Sequence, residues 1–371
     1  MTGQELARDR IRGCMIGGAV GDALGWPVEF QGERQIFDHY GSGGIGAYDL
    51  DAAGVAEITD DTQMALFTAN ALLVGETRER LHGDDRLPRQ FAAIAYQDWL
   101  ITQDGAKGEK TRLRPGGISW LSEVAALWHR RGPGGTCLSA LRLQNEAPGN
   151  IPDYIDAELN DSKGCGGIMR VAPMGLRPWG DIRVLDWEGA QIAAVTHGHP
   201  LGYMPAAVLT HIVNRLVFPK GDMGLKDIVL EARDAVSELF AGEPFLEKLR
   251  RIIDRAVDLA EKSTERDLEN IHRLGEGWVA EETLGIALYC CLRHPDDFSA
   301  GVIAAVNHKG DSDSTGAVTG NILGAHLGFD AIDDRWKRNL ELYDVILEIA
   351  DDLARPEGEE YSAEWMRKYD R

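Results

Sequence analysis

Apolar positions along this chain recur mostly at three- and four-residue spacing. After residue 60, Met64, Phe67, Ala71 and Val74 mark one helical face, and near the C-terminus Trp336, Leu340, Tyr343, Leu347 and Ala350 mark another. Residues 225–262 carry the charged amphipathic pattern of at least two more helices. Few segments alternate with period two and none is bounded like a hairpin, so the pattern predicts an all-α protein, a compact multi-helix bundle. Three Gly/Pro-rich stretches, 41–54, 105–119 and 131–152, interrupt it. They read as loops rather than linkers, because apolar helices resume on both sides. The whole chain, 1–371, is therefore expected to form one domain, with peripheral ends at 1–8 and 357–371.

A glycine pattern sets two of these helices apart. Gly13, Gly17, Gly21 and Gly25 recur every four residues, as do Gly316, Gly320, Gly324 and Gly328 near the other end. A glycine inside a helix costs about 1 kcal/mol relative to alanine, so such a run at helical spacing requires a compensating gain. Bare glycine faces let another backbone approach closely. That approach would carry the acidic residues at the ends of both helices into one site.

Composition narrows the function. Hydrophobic residues make up 44% of the 371 and charged residues 27%, an ordinary balance for a soluble globular protein. The net charge of −21 repels polyanions and argues against bulk nucleic acid as a partner. It leaves room for one phosphate-bearing small ligand held by local amides and a metal. The five cysteines, Cys14, Cys137, Cys165, Cys290 and Cys291, have neither the even count of a disulfide framework nor a CxxC pair for structural zinc. Cys290 and Cys291 read as helical core. No signal-peptide apolar region and no run of about 18 apolar residues is present, so a cytoplasmic protein without membrane attachment is expected.

Candidate chemistry concentrates in three acidic segments. Thr59-Asp60-Asp61-Thr62 opens one apolar helix. A helix cap needs only one of these residues, whereas a hard divalent cation takes several oxygen ligands, and the tetrad serves both readings equally. Asp311-Ser312-Asp313-Ser314 precedes the second glycine helix, where Asp-x-Asp sets two carboxylates on one side of a turn, with an Asx turn as the alternative. An EF-hand is excluded, since the twelfth position from Asp311 is Ile322 rather than glutamate. Glu29 follows a glycine helix and a proline and, taken alone, reads as an ordinary exposed acid. Two separated carboxylate clusters, each opening a helix, suggest a two-metal site that orients a substrate diol and activates water. The H-x-H of His197 and His199 would need a barrel strand before it to open an amidohydrolase-type metal site, and its flanks read helical.

Together these segments resemble the ADP-ribosylglycohydrolase family, whose bacterial prototype reactivates dinitrogenase reductase. The resemblance rests on GDALGWPVEF (21–30), ITDDTQMAL (58–66), NDSKGCGGIMRVAPMGL (160–176), VTHGHPLGY (195–203), GWVAEETLGIALYCCLR (277–293) and AVNHKGDSDSTGAVTGNILGA (305–325), in family order over nearly the whole chain. It implies a bundle of many helices that binds two divalent cations, Mg2+ or Mn2+, through Thr59, Asp60, Asp61, Asp311, Asp313 and Ser314, the last standing where the family often has threonine. Glu29 matches a loop glutamate near the metals that would close over the ligand, and Glu29, Asp60 and Asp61 are the candidate catalytic acids. Residues 162–170 match the family's ADP-ribose loop, with Ser162, Gly164, Cys165, Gly166, Gly167 and Met169 against the ligand. Bare amides at glycine suit phosphate oxygens. Gly116 and Gly117, in RPGGIS (114–119), offer a second such loop. His197 matches a histidine near the distal ribose or diphosphate, and Tyr203 would support the adenine by stacking.

The implied reaction is hydrolysis of the glycosidic bond at the anomeric carbon of the distal ribose, through an oxocarbenium-like centre. The substrate would be an ADP-ribosylated protein, with arginine the favoured linkage. Serine and other linkages also occur in the family, as do crystallin-like members with little known activity. Retention of Glu29, Asp60, Asp61, Asp311 and Asp313 favours an enzyme over such a member or a pure ADP-ribose sensor. The form NDSKGCGGIMR resembles bacterial members, some of which protect cells against ADP-ribosylating toxins. A cognate toxin is therefore a candidate partner, housekeeping and immunity roles are both open, and a monomer is implied by the resemblance alone.

Overall fold

A computed structural model describes residues 2–105, 116–144, 149–356 and 358–371. The helices run in the order α1 (Gly3–Gly25), α2 (Glu33–Tyr40), α3 (Asp60–His82), α4 (Pro88–Asp104), α5 (Gly135–Leu143), α6 (Ile182–Ala194), α7 (Pro200–Val217) and α8 (Leu225–Leu239). They continue with α9 (Leu246–Lys262), α10 (Asp267–Ile271), α11 (Ala280–Arg293), α12 (Phe298–Val306), α13 (Ser312–Leu327), α14 (Asp334–Lys337), α15 (Tyr343–Leu353) and α16 (Ala363–Tyr369). Among the described residues no strand forms. Two isolated bridges, Ala56 with Leu340 and Gly164 with Val279, are the sole β-type pairings there. The all-α expectation holds. No helix among the described residues is long and apolar enough to cross a membrane.

The glycine helices α1 and α13 pack against each other, antiparallel. Gly13 faces Gly324, Gly17 faces Gly320, Gly21 faces Gly316, and Gly25 faces the Ser312 carbonyl. A methyl group at any of these glycines would lie inside contact distance of the facing backbone carbonyl. Gly328 departs from the expected pattern: it ends α13 with φ +89° instead of extending the glycine face. The pairing has a positional consequence. The C-terminal end of α1, with Asp22 and then Glu29, is brought to the N-terminal end of α13, with Asp311 and Asp313.

Every residue of α1 from 13 to 25, and every residue of α13 from 312 to 325, is buried. Their neighbour α7 is buried along 201–217 in spite of Pro205. The outer helices keep the one-sided pattern read from the sequence, as in α9, which buries Leu249, Ile253, Ala256, Val257 and Ala260. The buried apolar side chains form one continuous cluster from Ile11 to Tyr369.

Two expectations need correction. The stretch 131–152 contains α5, which its opening glycines disguise. The C-terminal apolar face belongs to two helices, α14 and α15, because Asn339 and Leu342 between them adopt φ +65° and +58°; α15 buries Ile346, Ile349, Ala350 and Leu353. Hydrogen bonds order the helices at both ends of the chain. Thr2 and Glu5 form a reciprocal capping box at 3.2 and 2.6 Å. In α16, Trp365 Nε1 donates to Thr77 Oγ1 at 2.9 Å, and the Tyr369 hydroxyl donates to Asp352 at 2.6 Å.

Candidate active site

Three segments far apart in sequence end at one place. Helix α3 opens at Thr59, whose hydroxyl accepts the Asp61 amide at 3.2 Å. Helix α13 opens at Asp311, whose Oδ1 accepts the Ser314 amide at 3.3 Å. Helix α1 gives way through the turn Trp26–Val28 to Glu29. Asp22 ties the first two of these together: its carboxylate accepts the Thr59 amide at 3.0 Å, the Thr62 amide at 3.1 Å and the Thr62 hydroxyl. Ser314 Oγ donates to Asp61 Oδ2 at 2.8 Å, joining α13 to α3 directly. Carboxylate oxygens of Glu29, Asp311 and Asp313 all lie within 4.8 Å of one another. Thr59, Asp60, Asp61, Asp311, Asp313 and Ser314 are buried, and Glu29 is half-buried.

So many carboxylates cannot all carry charge unaided. Burial, reinforced by Asp313, pushes Asp60, Asp61 and Asp311 well above the usual carboxylate range. Burial also raises Asp313. Asp22 is pushed up to about 7 by burial and then by Asp313. Glu29 rises to about 10 through burial and the facing Asp313 and Asp311. A cluster of this kind needs protons or cations to neutralise it. The positive ends of α3 and α13 offset only part of the charge. The donor set, carboxylates with the Thr59 and Ser314 hydroxyls, is all oxygen and fits a hard divalent cation.

Beside the acids lies a floor of glycine backbone. The Gly134 amide donates to Asp60 Oδ2 at 3.3 Å, and α5 starts at the next residue without a side-chain cap. The amides of Gly135, Thr136 and Cys137 therefore have no acceptor within their helix. Thr136 Oγ1 sits 3.3 Å from Ser162 Oγ, which brings the 162–170 loop alongside. In that loop Cys165 donates its amide to Trp278 O at 3.3 Å, its thiol is pushed up by burial and by Asp311, and Met169 is buried. Gly166 is held between Cys137 and His197: a Cβ there would come within 2.8 Å of Cys137 Sγ and 2.9 Å of His197 Cε1. Gly164 and Gly167 also pack against the His197 side chain. Its Nδ1 shares a hydrogen bond with the Thr196 hydroxyl at 2.8 Å, and burial with nearby Arg170 lowers its pKa to about 3, so it is neutral.

The structure thus gathers Glu29, the six oxygen-bearing candidates, the 162–169 residues and His197. Tyr203 is not brought to the acids. Its ring packs on Phe240 at 5.7 Å and its hydroxyl donates to Glu243 at 3.4 Å. No hydrogen bond links Gly116 or Gly117 to the cluster among the described residues. Their neighbours Ile118 and Ser119 donate amides to Asp98 at 2.7 and 3.0 Å, and residues 114–115 of that loop lie outside the described residues.

Three contributors were missed in the sequence. Asp22 lies in a quoted motif, and an acid inside a glycine-faced helix was the available signal. Arg170 is fully buried, donates to the Gly166 carbonyl and to Cys137 Sγ at 3.0 Å, and leaves Nη1 without a partner among the described residues. The α5 amino terminus follows a Gly-Pro-Gly-Gly run, the same kind of pattern as the loop that was recognised.

Known proteins share this arrangement of sequence and fold. The family model described as ADP-ribosylglycohydrolase matches residues 3–363. The chain is 27% identical over 353 residues to the ADP-ribosyl-[dinitrogen reductase] glycohydrolase of Rhodospirillum rubrum, covering 92% of this chain and 93% of that protein. It is 26% identical over 383 residues to ADP-ribosylhydrolase ARH3 of Danio rerio, covering 93% and 89%. A solved structure described as an ADP-ribosylglycohydrolase-related protein complex matches with a TM-score of 0.63 at 25% identity, covering 95% of this chain and 99% of that one.

Proposed function

The chain belongs to the ADP-ribosylglycohydrolase family, and on that premise we propose that it cleaves the glycosidic bond between ADP-ribose and a modified protein side chain, with arginine as the linkage and Mg2+ or Mn2+ as cofactor. The observation that carries this reading is the meeting of Glu29, Asp60, Asp61, Asp311 and Asp313 beside uncapped glycine amides. One half of the site suits cations and a ribose diol; the other suits a diphosphate.

Divalent cations held by Thr59, Asp60, Asp61, Asp311, Asp313 and Ser314 would supply Lewis acidity at the distal ribose. The α5 amino terminus and the Gly166 amide would receive the diphosphate, with buried Arg170 behind them as the fixed positive charge. Neutral His197 holds the glycine loop in place from beneath. Water adds to the anomeric carbon as the bond to the side-chain nitrogen breaks, and the nitrogen leaves with the bonding pair. One of Glu29, Asp60 and Asp61 takes the proton of the attacking water; the guanidine departs neutral and then takes up a proton, so the released arginine side chain regains its charge. Asp22 touches none of the reacting atoms and acts as a positioning residue for the start of α3.

The test is release of ADP-ribose from an arginine-ADP-ribosylated protein with Mg2+, Mn2+ or excess EDTA, and from a serine-linked substrate in parallel. Cation-dependent release from arginine is expected. Asp61→Ala and Asp311→Ala should each lower kcat/KM at least about 1,000-fold while leaving the circular dichroism spectrum unchanged. Undiminished turnover in either variant would refute the assignment of the cluster.

A further inference from the structure

The rim of the site carries two aromatic side chains that neither the carboxylates nor the phosphate floor use. Phe30 is 76% exposed and Trp278 38%. Their rings stack with centroids 5.8 Å apart and planes inclined by 22°. Large aromatics exposed together at the edge of a site mark a contact surface for something absent. Both are tied to the reaction centre through the backbone. Phe30 directly follows Glu29. The Trp278 carbonyl accepts the Cys165 amide at 3.3 Å, and the Glu276 carbonyl, two residues earlier, accepts the Asp311 amide at 2.8 Å. If the carboxylate cluster holds the distal ribose, the group attached to its anomeric carbon lies at this edge.

We propose that the Phe30–Trp278 pair is the platform on which the guanidinium of an ADP-ribosyl-arginine side chain stacks, and that it sets the linkage preference. This rests on the hydrolase reading above. The rings stack on each other, and with Phe30 76% exposed its face away from Trp278 is open to solvent. A planar, delocalised cation is attracted to such a face when it lies within about 6 Å of the ring centroid. The rings are already ordered by their mutual contact, so little side-chain freedom is lost on binding. A serine linkage presents an ether oxygen with neither charge nor plane and gains nothing from the surface. The −21 net charge favours a cationic side chain over an anionic one at the same place.

A second role for the pair would be mechanical, holding the Glu29 turn in position. The two roles separate kinetically. Steady-state release of ADP-ribose is measured with Mn2+ for wild type, Phe30→Ala, Trp278→Ala, the double variant and Phe30→Tyr, on one peptide carrying the modification on arginine and one carrying it on serine. ADP-ribose affinity, measured by calorimetry, reports on the integrity of the site. The double variant should raise KM for the arginine-linked peptide about tenfold with kcat within about twofold, the pattern of lost uniform binding. Turnover of the serine-linked peptide and ADP-ribose affinity should stay at wild-type values, and Phe30→Tyr should keep the wild-type KM. Equal losses on both linkages, or a fall in kcat at constant KM, would mean that the pair only holds Glu29, and would overturn the proposal. Wild-type turnover of arginine-linked peptide with unchanged KM in the double variant overturns the platform alone. Wild-type failure to release ADP-ribose from either peptide overturns the hydrolase reading, and the platform with it.

Discussion

His197 illustrates how far a buried environment moves a single residue from its solution behaviour. In the unfolded chain its imidazole takes a proton near pH 6.5; in the folded protein, burial and Arg170 hold the pKa at about 3. The folded value lies below the unfolded one, so the stability His197 provides is fully present above pH 6.5 and is lost as pH falls from there toward 3. Between pH 7.5 and pH 5 this amounts to a loss on the order of 2 kcal/mol. His197→Gln should therefore show a shallower decline of unfolding free energy across that interval, read from urea titrations at both pH values. Parallel declines in variant and wild type would mean that the imidazole is protonated, or solvated, in the folded protein. Asp22 shows the opposite case, an acid whose negative charge is discouraged by burial yet retained as an acceptor for Thr59 and Thr62. Hydrogen bonds from two amides and a hydroxyl favour the charged form locally, which is why one side chain can fix where α3 begins.

At the scale of elements, the contact between α1 and α13 decides whether a site exists. Gly320→Ala should gain about 1 kcal/mol from helix propensity. The new methyl, however, meets the Gly17 carbonyl, part of a backbone that cannot move aside without shifting the whole helix. Overpacking of this kind costs about 1–3 kcal/mol or more, and here the upper end is expected, with a net fall in Tm. Separation of the helices would also draw Asp311 and Asp313 away from Glu29, so affinity for Mn2+ should fall in the same variant. A Tm equal to or above wild type would show that the two backbones are not in contact. The same contact explains why α13 looks unpromising in the sequence. Its interior glycines and small polar residues are poor helix formers, and burial against α1 supplies what local propensity lacks.

For the molecule as a whole, the acidic cluster gathers charge that the proposed cation would neutralise. A ligand that binds only the folded state at 100 times its Kd adds about 2.7 kcal/mol of stability. For a chain of 371 residues, Mn2+ should raise the Tm by a few degrees over an EDTA-treated sample, and the increment should shrink in Asp313→Asn, whose carboxyl faces every other acid in the cluster. Calorimetric scans with and without the cation check this. Equal melting temperatures in both would argue that the cluster is neutralised by protons alone.

Much of this was legible in the chain itself, because the signals are local. Helical periodicity follows from 3.6 residues per turn, and caps such as Thr59 and Asp311 act within one turn of themselves. The glycines of residues 162–167 mark a loop whose backbone a ligand can approach closely, a signal that is again local. Family motifs likewise mark residues by their immediate neighbours, and these sufficed for the all-α class and for most of the acidic candidates. The remainder depended on which helix ends meet. Nothing within α1 or α13 alone states that Gly17 faces Gly320, yet that pairing places Glu29 against Asp311. The same is true of Asp22, Arg170 and the α5 amino terminus, whose roles arise from partners distant in sequence. Tyr203 closes a matched motif, but that its ring lies on Phe240 and its hydroxyl reaches Glu243 is decided by tertiary packing around α7. The raised carboxylate pKa values belong wholly to the fold, since burial and the crowding of like charges arise only once the three segments have come together.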